Sequence, residues 1–197
     1  MLTSVTRSGC SNSKTVTVQL PSVRTAMVNA GSPPLRELAI FDGRLKNLEQ
    51  LLAGLRPGVE AVVLIADANG IDQISSWLNT HHLFDAVHIF AMGESGRLQL
   101  GSATLSLETL PQYRLALNRW RQHLRRDGIV QLYSGQLGAA PHGDTFLKKL
   151  SQVLSVTIAA SRYPLGKGRW QLDLVYGDAS VALPLQRTCL ETYNCSL

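Results

Sequence analysis

The sequence has few cysteines, few aromatic residues and no long apolar run. Its three cysteines, Cys10, Cys189 and Cys195, are odd in number and form no C-x-x-C pair. This pattern favours free thiols in a reducing cytoplasm over a disulfide framework, and it gives no ligand spacing for zinc. No apolar run approaches the roughly 20 residues that span a bilayer, and the N-terminus has no secretory signal pattern. The sequence therefore predicts a cytoplasmic protein without a membrane span.

Acidic residues are missing from the first 36 positions, although the whole chain of 197 residues has 14 of them. The same stretch has four basic residues, Arg7, Lys14, Arg24 and Arg36. We interpret residues 1–36 as an extended basic arm that ends in the stiff linker Ser32-Pro33-Pro34. Within the arm, residues 15–20 alternate and are rich in β-branched side chains, which favours a strand added to a sheet edge. With a formal net charge of +5, the chain favours anionic partners.

From residue 37 onward, short apolar strands alternate with helical patterns. Strands are predicted over 37–41, 59–66, 84–91, 129–133 and 156–160, and helices over 44–55, 71–78, 107–126 and 144–154. Hairpins are predicted for 97–100 with 104–107, and for 169–175 with 180–183. The continuous apolar run 59–66 indicates a strand covered on both faces. The alternation predicts one α/β domain over residues 37–185, a mainly parallel sheet with helices on both faces, followed by a tail over 186–197.

Several local runs, taken in order, resemble the caspase-like domain-of-unknown-function family 4347 of cyanobacterial and proteobacterial proteins. The runs are residues 51–60, His88-Ile89 followed by Gly93 and Ser95-Gly96, residues 98–101, Leu132-Tyr133, residues 159–161 and residues 168–172. The resemblance extends from residue 37 to about residue 175. It implies a caspase-like three-layer sandwich with a C-terminal hairpin and a His–Cys dyad at the carboxyl ends of neighbouring strands.

At the two implied dyad positions this chain has Met92 instead of the histidine and Gly135 instead of the cysteine. Neither side chain can accept a proton or attack a carbonyl group. The nearest alternatives are Ser134 and His88. A shift of one residue along a strand turns a side chain to the other face, and His88 lies deeper in its strand. Ser134 is therefore interpreted as a turn residue and His88 as a hydrogen-bonded core histidine.

The predicted helix over 107–126 carries a second basic cluster: Arg114, Arg119, Arg121, Arg125 and Arg126. Arg114, Arg121 and Arg125 are spaced to share one helical face, and with Arg7, Lys14 and Arg24 of the arm they are the predicted partner-binding residues. The arginines also fit a solvated helix face. Trp120 fits either an interface residue or a core residue that packs with Leu117 and Leu124.

We therefore expect a non-enzymatic protein–protein interaction module, a linker or accessory subunit that docks on an acidic protein in a larger complex. The resemblance to cyanobacterial proteins extends this to an antenna complex, in which basic linkers hold acidic antenna proteins together. A cysteine or serine hydrolase with another site is one alternative. An electrostatic nucleic-acid binder is a second, and it ranks lower because aromatic residues are only 6% of the chain.

No metal or cofactor is expected. His81-His82 has no third ligand at a useful spacing, because adjacent side chains diverge on one element. The glycine-containing segments 93–96 and 166–168 have neither the Walker spacing nor the dinucleotide fingerprint. They are interpreted as a strand-to-hairpin turn and a loop.

Overall fold

A computed structural model describes residues 34–81, 83–178 and 180–197. The strands are β1 (Glu37–Asp42), β2 (Glu60–Leu64), β3 (Phe84–Phe90), β4 (Gly93–Glu94), β5 (Arg97–Leu100), β6 (Ala103–Ser106), β7 (Leu124–Tyr133), β8 (Thr157–Ala160) and β9 (Leu174–Tyr176). The α-helices are α1 (Leu48–Ala53), α2 (Gly70–Leu78), α3 (Leu110–Trp120), α4 (Ala140–Leu154) and α5 (Arg187–Thr192). A short 3₁₀ helix, Arg121–His123, follows α3.

The centre of the fold is a six-stranded sheet in the order β2-β1-β3-β7-β8-β9. The first five strands are parallel, and β9 pairs antiparallel with β8. This confirms the predicted α/β class with a mainly parallel sheet. A second sheet, β4-β5-β6, is antiparallel and includes the predicted hairpin around Gly101-Ser102. Gly101 has a φ of 53°, a conformation that glycine adopts at little cost in a tight turn.

Three helices cover one face of the large sheet. Each turns an apolar stripe inward at a spacing of three or four residues, as Ile71, Ile74 and Leu78 do in α2. The side chain of Asn69 accepts the N–H groups of Ile71 and Asp72, which fixes the start of α2. In α3, Trp120 is buried and donates its indole N–H to the Ser75 hydroxyl at 2.8 Å. The core interpretation of Trp120 is confirmed.

The opposite face is covered by α1, α5 and the connections near Leu165, Trp170 and Leu185. Across β1, β3 and β7 this face carries three stacked rings. The Phe41 and Phe90 centroids are 4.7 Å apart, and those of Phe90 and Tyr133 are 4.5 Å apart. Residues 187–192, predicted only as part of a tail, form α5 and bury Cys189 on this face.

The predicted burial of β2 on both faces is wrong. β2 is an edge strand, and Ala61, Val63 and Ile65 are exposed at alternate positions while Leu64 is buried. An apolar run shows that a strand can be buried, but exposure depends on its place in the sheet. Helix α1 is also shorter than the predicted 44–55, because Asn47 adopts a left-handed conformation with a φ of 50° just before it.

One further predicted element is shorter than expected, and another is absent from the described residues. The long helix over 107–126 ends at Trp120, and the chain from Leu124 onward joins β7 because Leu124 pairs with Phe84. The predicted C-terminal hairpin is not formed, since β9 pairs with β8 and residues 180–183 are not a strand. Instead, the Val181 carbonyl accepts the side-chain amide of Gln131 at 2.8 Å. None of the helices in the described ranges is both long and apolar enough to cross a membrane.

Candidate functional site

Met92 and Gly135 each follow the end of a parallel strand by two residues. The two strands are neighbours, with Phe90 opposite Tyr133. Beyond that pair, the Ala91 N–H donates to the Tyr133 carbonyl at 3.0 Å. The structure therefore brings both positions to the carboxyl edge of the large sheet.

Gly135 has no room for a side chain. A β-carbon at this position would lie 2.7 Å from the carbonyl oxygen of Gly93 and 3.2 Å from that of Leu197. Both atoms belong to the backbone, so a larger residue requires the chain itself to move. Leu197 is held in place because its N–H donates to the Leu165 carbonyl at 3.1 Å. The position where the resemblance implies a nucleophile is thus closed by backbone.

Met92 lies on the open side of the same edge, with 48% of its surface exposed. It lines a crevice of about 410 Å³ that also includes Arg44, Glu94, Arg97, Gln99 and Thr104. The crevice lies where β1 and β3 end. In the sheet, β2 pairs with one edge of β1 and β3 pairs with the other edge. The strand order therefore reverses at β1, which makes this end of the sheet a topological switch point. In open α/β sheets, ligands bind at such a point.

Arg44 is held rigidly at this crevice. Its Nε and Nη2 atoms donate to the two carboxylate oxygens of Asp42, each at 3.1 Å, and Asp42 is fully buried at the end of β1. Nη2 also donates to the Gly101 carbonyl. The hydrogen bond with Asp42 raises the pKa of the Arg44 guanidinium, with burial acting in the opposite direction. Sequence reasoning missed this residue, because its role follows from the strand order.

Ser134 and His88 do not form a catalytic pair in this structure. Ser134 is fully buried beside Gly93, and its hydroxyl has no hydrogen-bond partner among the described residues. His88 lies opposite Gln131, three residues before Ser134, which corresponds to about 10 Å along the strand. Its imidazole contacts Glu37 and lies near the Tyr133 ring. His88 is confirmed as a hydrogen-bonded core histidine.

The buried Glu37 and His88 form a polar cluster with the half-buried Arg56. His88 Nε2 is 3.0 Å and Arg56 Nη2 is 2.6 Å from Glu37 Oε2. Because a carboxylate only accepts, we assign the ring proton to Nε2. Burial raises the pKa of Glu37, but the hydrogen bond from His88 and the charge of Arg56 outweigh it and hold the pKa below its ordinary value. Arg56 Nε also donates to the Leu183 carbonyl at 2.7 Å, so the cluster joins β1, β3 and the C-terminal connection.

The three arginines predicted to share one helical face lie on different elements. Arg114 is in α3, Arg121 is in the 3₁₀ helix and Arg125 is in β7. The shared face is wrong because the helix ends before Arg121. Arg125 Nε lies 3.0 Å from Asp85 Oδ1, so its charge faces a carboxylate on the neighbouring strand. A binding role for these residues stays a prediction.

A cationic surface nevertheless forms on α3. We define the α3 surface as Arg114, Leu115, Arg119 and Arg121. Leu115 is 76% exposed, and none of the ion pairs formed within the described ranges includes the three arginines. Residues 110–123 contain no Asp or Glu. The neighbouring helix α4 adds two exposed cations, Lys148 and Lys149.

The other predicted groups are placed as follows. Arg7, Lys14, Arg24, Cys10 and residues 15–20 lie outside the described residues, as does His82. Cys189 and Cys195 are free thiols, and burial raises the pKa of Cys189. His81 stacks on Trp77 with centroids 3.6 Å apart. Across the described parts of the chain, no three His, Cys, Asp or Glu side chains are grouped to hold a metal ion.

The two glycine-containing segments form a turn and a loop. Residues 93–96 comprise β4 and the turn into β5, as interpreted from the sequence. Gly166 and Arg169 exchange backbone hydrogen bonds of 2.8 and 3.0 Å, which makes residues 166–169 a tight loop.

The mainly parallel sheet with helices on both faces makes this a doubly wound α/β domain. Residues 38–197 match the model of a family described as a domain of unknown function (DUF4347), and the chain belongs to that family. No curated protein matches the chain.

Among solved structures, the chain is similar to one described as the crystal structure of a small-chain dehydrogenase. The identity is 12%, the TM-score is 0.35, and the match covers 61% of this chain and 77% of that one. Similarity at this level carries no argument about activity.

Proposed function

We propose that this chain is a non-enzymatic protein–protein interaction module that docks on an acidic protein partner. In this proposal the domain is a caspase-like scaffold whose dyad positions hold Met92 and Gly135. It acts as a linker or accessory subunit of a larger assembly. The observation that carries the proposal is the α3 surface, where an exposed leucine lies among arginines that form no ion pair with any described residue.

The α3 surface suits a protein partner better than a nucleic acid. Leu115 and Arg119 are four residues apart, so the apolar side chain and a guanidinium lie on one helical face. An apolar contact rimmed by cations fits a protein surface that carries carboxylates around an apolar residue. A single-strand binder needs exposed rings for base stacking, whereas the one aromatic residue within α3 besides Trp120 is the half-buried Tyr113.

The absence of catalysis is supported by the carboxyl edge of the sheet. Closure of the Gly135 position by Gly93 and Leu197 leaves no volume for a nucleophilic side chain. Ser134 is buried, and His88 is engaged with Glu37 on a different part of the strand. A hydrolase site therefore lacks its nucleophile and base at the place where the resemblance implies them.

The test compares two variants with equal charge loss. The α3 variant is Arg114→Gln/Arg119→Gln/Arg121→Gln, and the matched control is Lys46→Gln/Lys167→Gln/Arg187→Gln, which changes three exposed cations elsewhere. Proteins retained by the wild-type chain from an extract of its source organism are purified, and their dissociation constants are measured by fluorescence anisotropy. We expect the α3 variant to weaken binding about tenfold or more and the control to change it less than about twofold.

Two outcomes would overturn the proposal. One is equal binding of the retained protein by the α3 variant and the wild type. The other is stoichiometric labelling of the wild-type chain by a serine- or cysteine-directed activity probe that disappears on Ser134→Ala. A mixed-sequence DNA duplex serves as competitor, and displacement of the partner at equal concentration would favour the nucleic-acid alternative.

A further inference from the structure

We propose that the crevice between the ends of β1 and β3 binds a small organic anion. Its carboxylate or phosphate group contacts Arg44 and Arg97, and its carbon skeleton packs on Met92. This inference is independent of the proposed function, because the crevice lies at the carboxyl edge of the sheet and the α3 surface lies on the helical layer.

The place and size of the crevice both favour a ligand. Residues 43–44 follow β1, and residues 92–94 follow β3, at the point where the strand order reverses. Parallel strands there leave a gap that helices do not fill. A volume of about 410 Å³ is within the range of small-molecule sites, roughly 300–1,000 Å³.

Arg44 provides a prepositioned donor. Its hydrogen bonds with Asp42 and the Gly101 carbonyl use Nε and Nη2 and leave Nη1 for a ligand. The guanidinium is thus fixed before binding, so little side-chain entropy is lost when an anion contacts it. Guanidinium groups match the geometry of carboxylate and phosphate oxygens.

Arg97 provides the second cation and Glu94 opposes it. The Arg97 side chain is 59% exposed, and its Nη1 lies 3.9 Å from Glu94 Oε1. Such an exposed pair contributes little stability, so an incoming anion can replace the carboxylate of Glu94 at low cost. Removal of the Arg97 charge should therefore weaken anion binding, and removal of the Glu94 charge should strengthen it.

The remaining lining selects for an anion with an apolar part. Thr104 donates to Gln99 at 2.8 Å, and the Gln99 amide donates to the Gly101 carbonyl at 3.0 Å, so these polar groups already satisfy each other. Met92 offers an exposed thioether and methyl group for carbon atoms. Residues 1–36 contain no Asp or Glu and so supply no side-chain carboxylate that could compete with the ligand.

The experiment follows the Met92 methyl group by NMR in the full-length chain labelled with ¹³C-methyl methionine. The chain has three methionines, and Met92→Leu assigns the Met92 signal. Citrate and glycerol 3-phosphate are titrated separately at a constant ionic strength of about 0.15 M, with glycerol as the uncharged control. The first two ligands distinguish a carboxylate site from a phosphate site.

We expect saturable shifts of the Met92 signal with at least one anion and none with glycerol. Arg97→Gln is expected to raise the dissociation constant about tenfold and Glu94→Gln to lower it about threefold. The matched control Arg187→Gln, on α5, is expected to leave it unchanged. A Met92 signal that neither anion moves would overturn the proposal, and so would equal affinity of the Arg97→Gln variant and the wild type.

Discussion

Gly135 lies directly against the carbonyl oxygen of Gly93, so that a β-carbon at residue 135 would approach that oxygen to 2.7 Å. Gly93 belongs to β4, which follows β3, and Gly135 follows β7. The contact therefore joins the two strand ends where the resemblance implies a catalytic pair. Loss of a cysteine alone would leave space at this position, whereas here backbone occupies it.

Gly135→Ala is expected to lower the free energy of unfolding by about 1–3 kcal/mol, because the new methyl group pushes the carbonyl groups of Gly93 and Leu197 away from residue 135. Urea denaturation measures the change. Met92→His/Gly135→Cys, which introduces the two residue types that the resemblance implies, is expected to gain no reactivity toward a cysteine-directed probe beyond that of the wild type.

Ser76→Cys serves as the control for the probe, because Ser76 is exposed on α2 and a thiol there is accessible. Efficient labelling of the cysteine in Gly135→Cys, with unchanged stability, would show that residue 135 has room for a side chain and would contradict its closure by backbone.

Ser134→Ala is expected to leave the fold intact and to raise the free energy of unfolding by up to about 1 kcal/mol. The buried Ser134 hydroxyl has no hydrogen-bond partner among the described residues, and its removal ends a desolvation cost. Thermal unfolding measures the change, with Ser76→Ala as the exposed control. A marked loss of stability would mean that the hydroxyl makes a contact required by the fold.

Glu37→Gln is expected to destabilise the protein by about 2 kcal/mol at neutral pH, since it removes the buried charge that pairs with Arg56 and His88. The folded-state pKa of Glu37 lies below its ordinary value of 4.5. The unfolded chain therefore binds this proton first as pH falls, so the stabilisation is complete above pH 4.5 and decreases below it.

The measurement is the difference in unfolding free energy between the wild type and Glu37→Gln as a function of pH. This difference should be constant near neutral pH and shrink as the pH falls below 4.5. Glu191→Gln, at an exposed carboxylate of α5, is the control. A difference that grows in acid would contradict the direction assigned to the Glu37 pKa.

Local periodicity predicted the elements that depend on local sequence. The strands that became β1 and β3 and the helix α2 follow the predicted pattern closely. The end of α3 was not predictable in this way, because β7 begins at Leu124 through its pairing with Phe84, 40 positions earlier in the chain. The exposure of Val63 likewise depends on β2 being an edge strand, which is a property of strand order.

The candidate sites divide in the same way. The family resemblance implied that Met92 and Gly135 follow the carboxyl ends of neighbouring strands, and β3 and β7 are neighbours in the sheet. Sequence reasoning did not predict that Leu197 returns to cover Gly135, since nothing local in the sequence links these positions. Arg44 was missed for a similar reason. Its guanidinium is held in place by hydrogen bonds to Asp42 and the Gly101 carbonyl, which only the fold brings together.

Arg119 and Arg125 both belong to the basic cluster predicted for one helix, but they differ in their contacts. Arg119 belongs to the α3 surface, and within the described chain it has no ion-pair partner, whereas Arg125 Nε contacts Asp85 at 3.0 Å. The Arg125 pair is short and its carboxylate is only 21% exposed, so it is costlier to displace than a loose surface pair, and the net contribution of Arg125 to partner binding is smaller. We therefore expect Arg119→Gln to weaken binding of the acidic partner about threefold or more and Arg125→Gln to change it by less than about twofold. Fluorescence anisotropy at two salt concentrations measures both effects, and the loss for Arg119→Gln should diminish at the higher salt, because screening weakens the wild-type contact that the variant lacks. A larger effect from Arg125→Gln would place the docking face on β7 and the β3 edge instead of the helical layer.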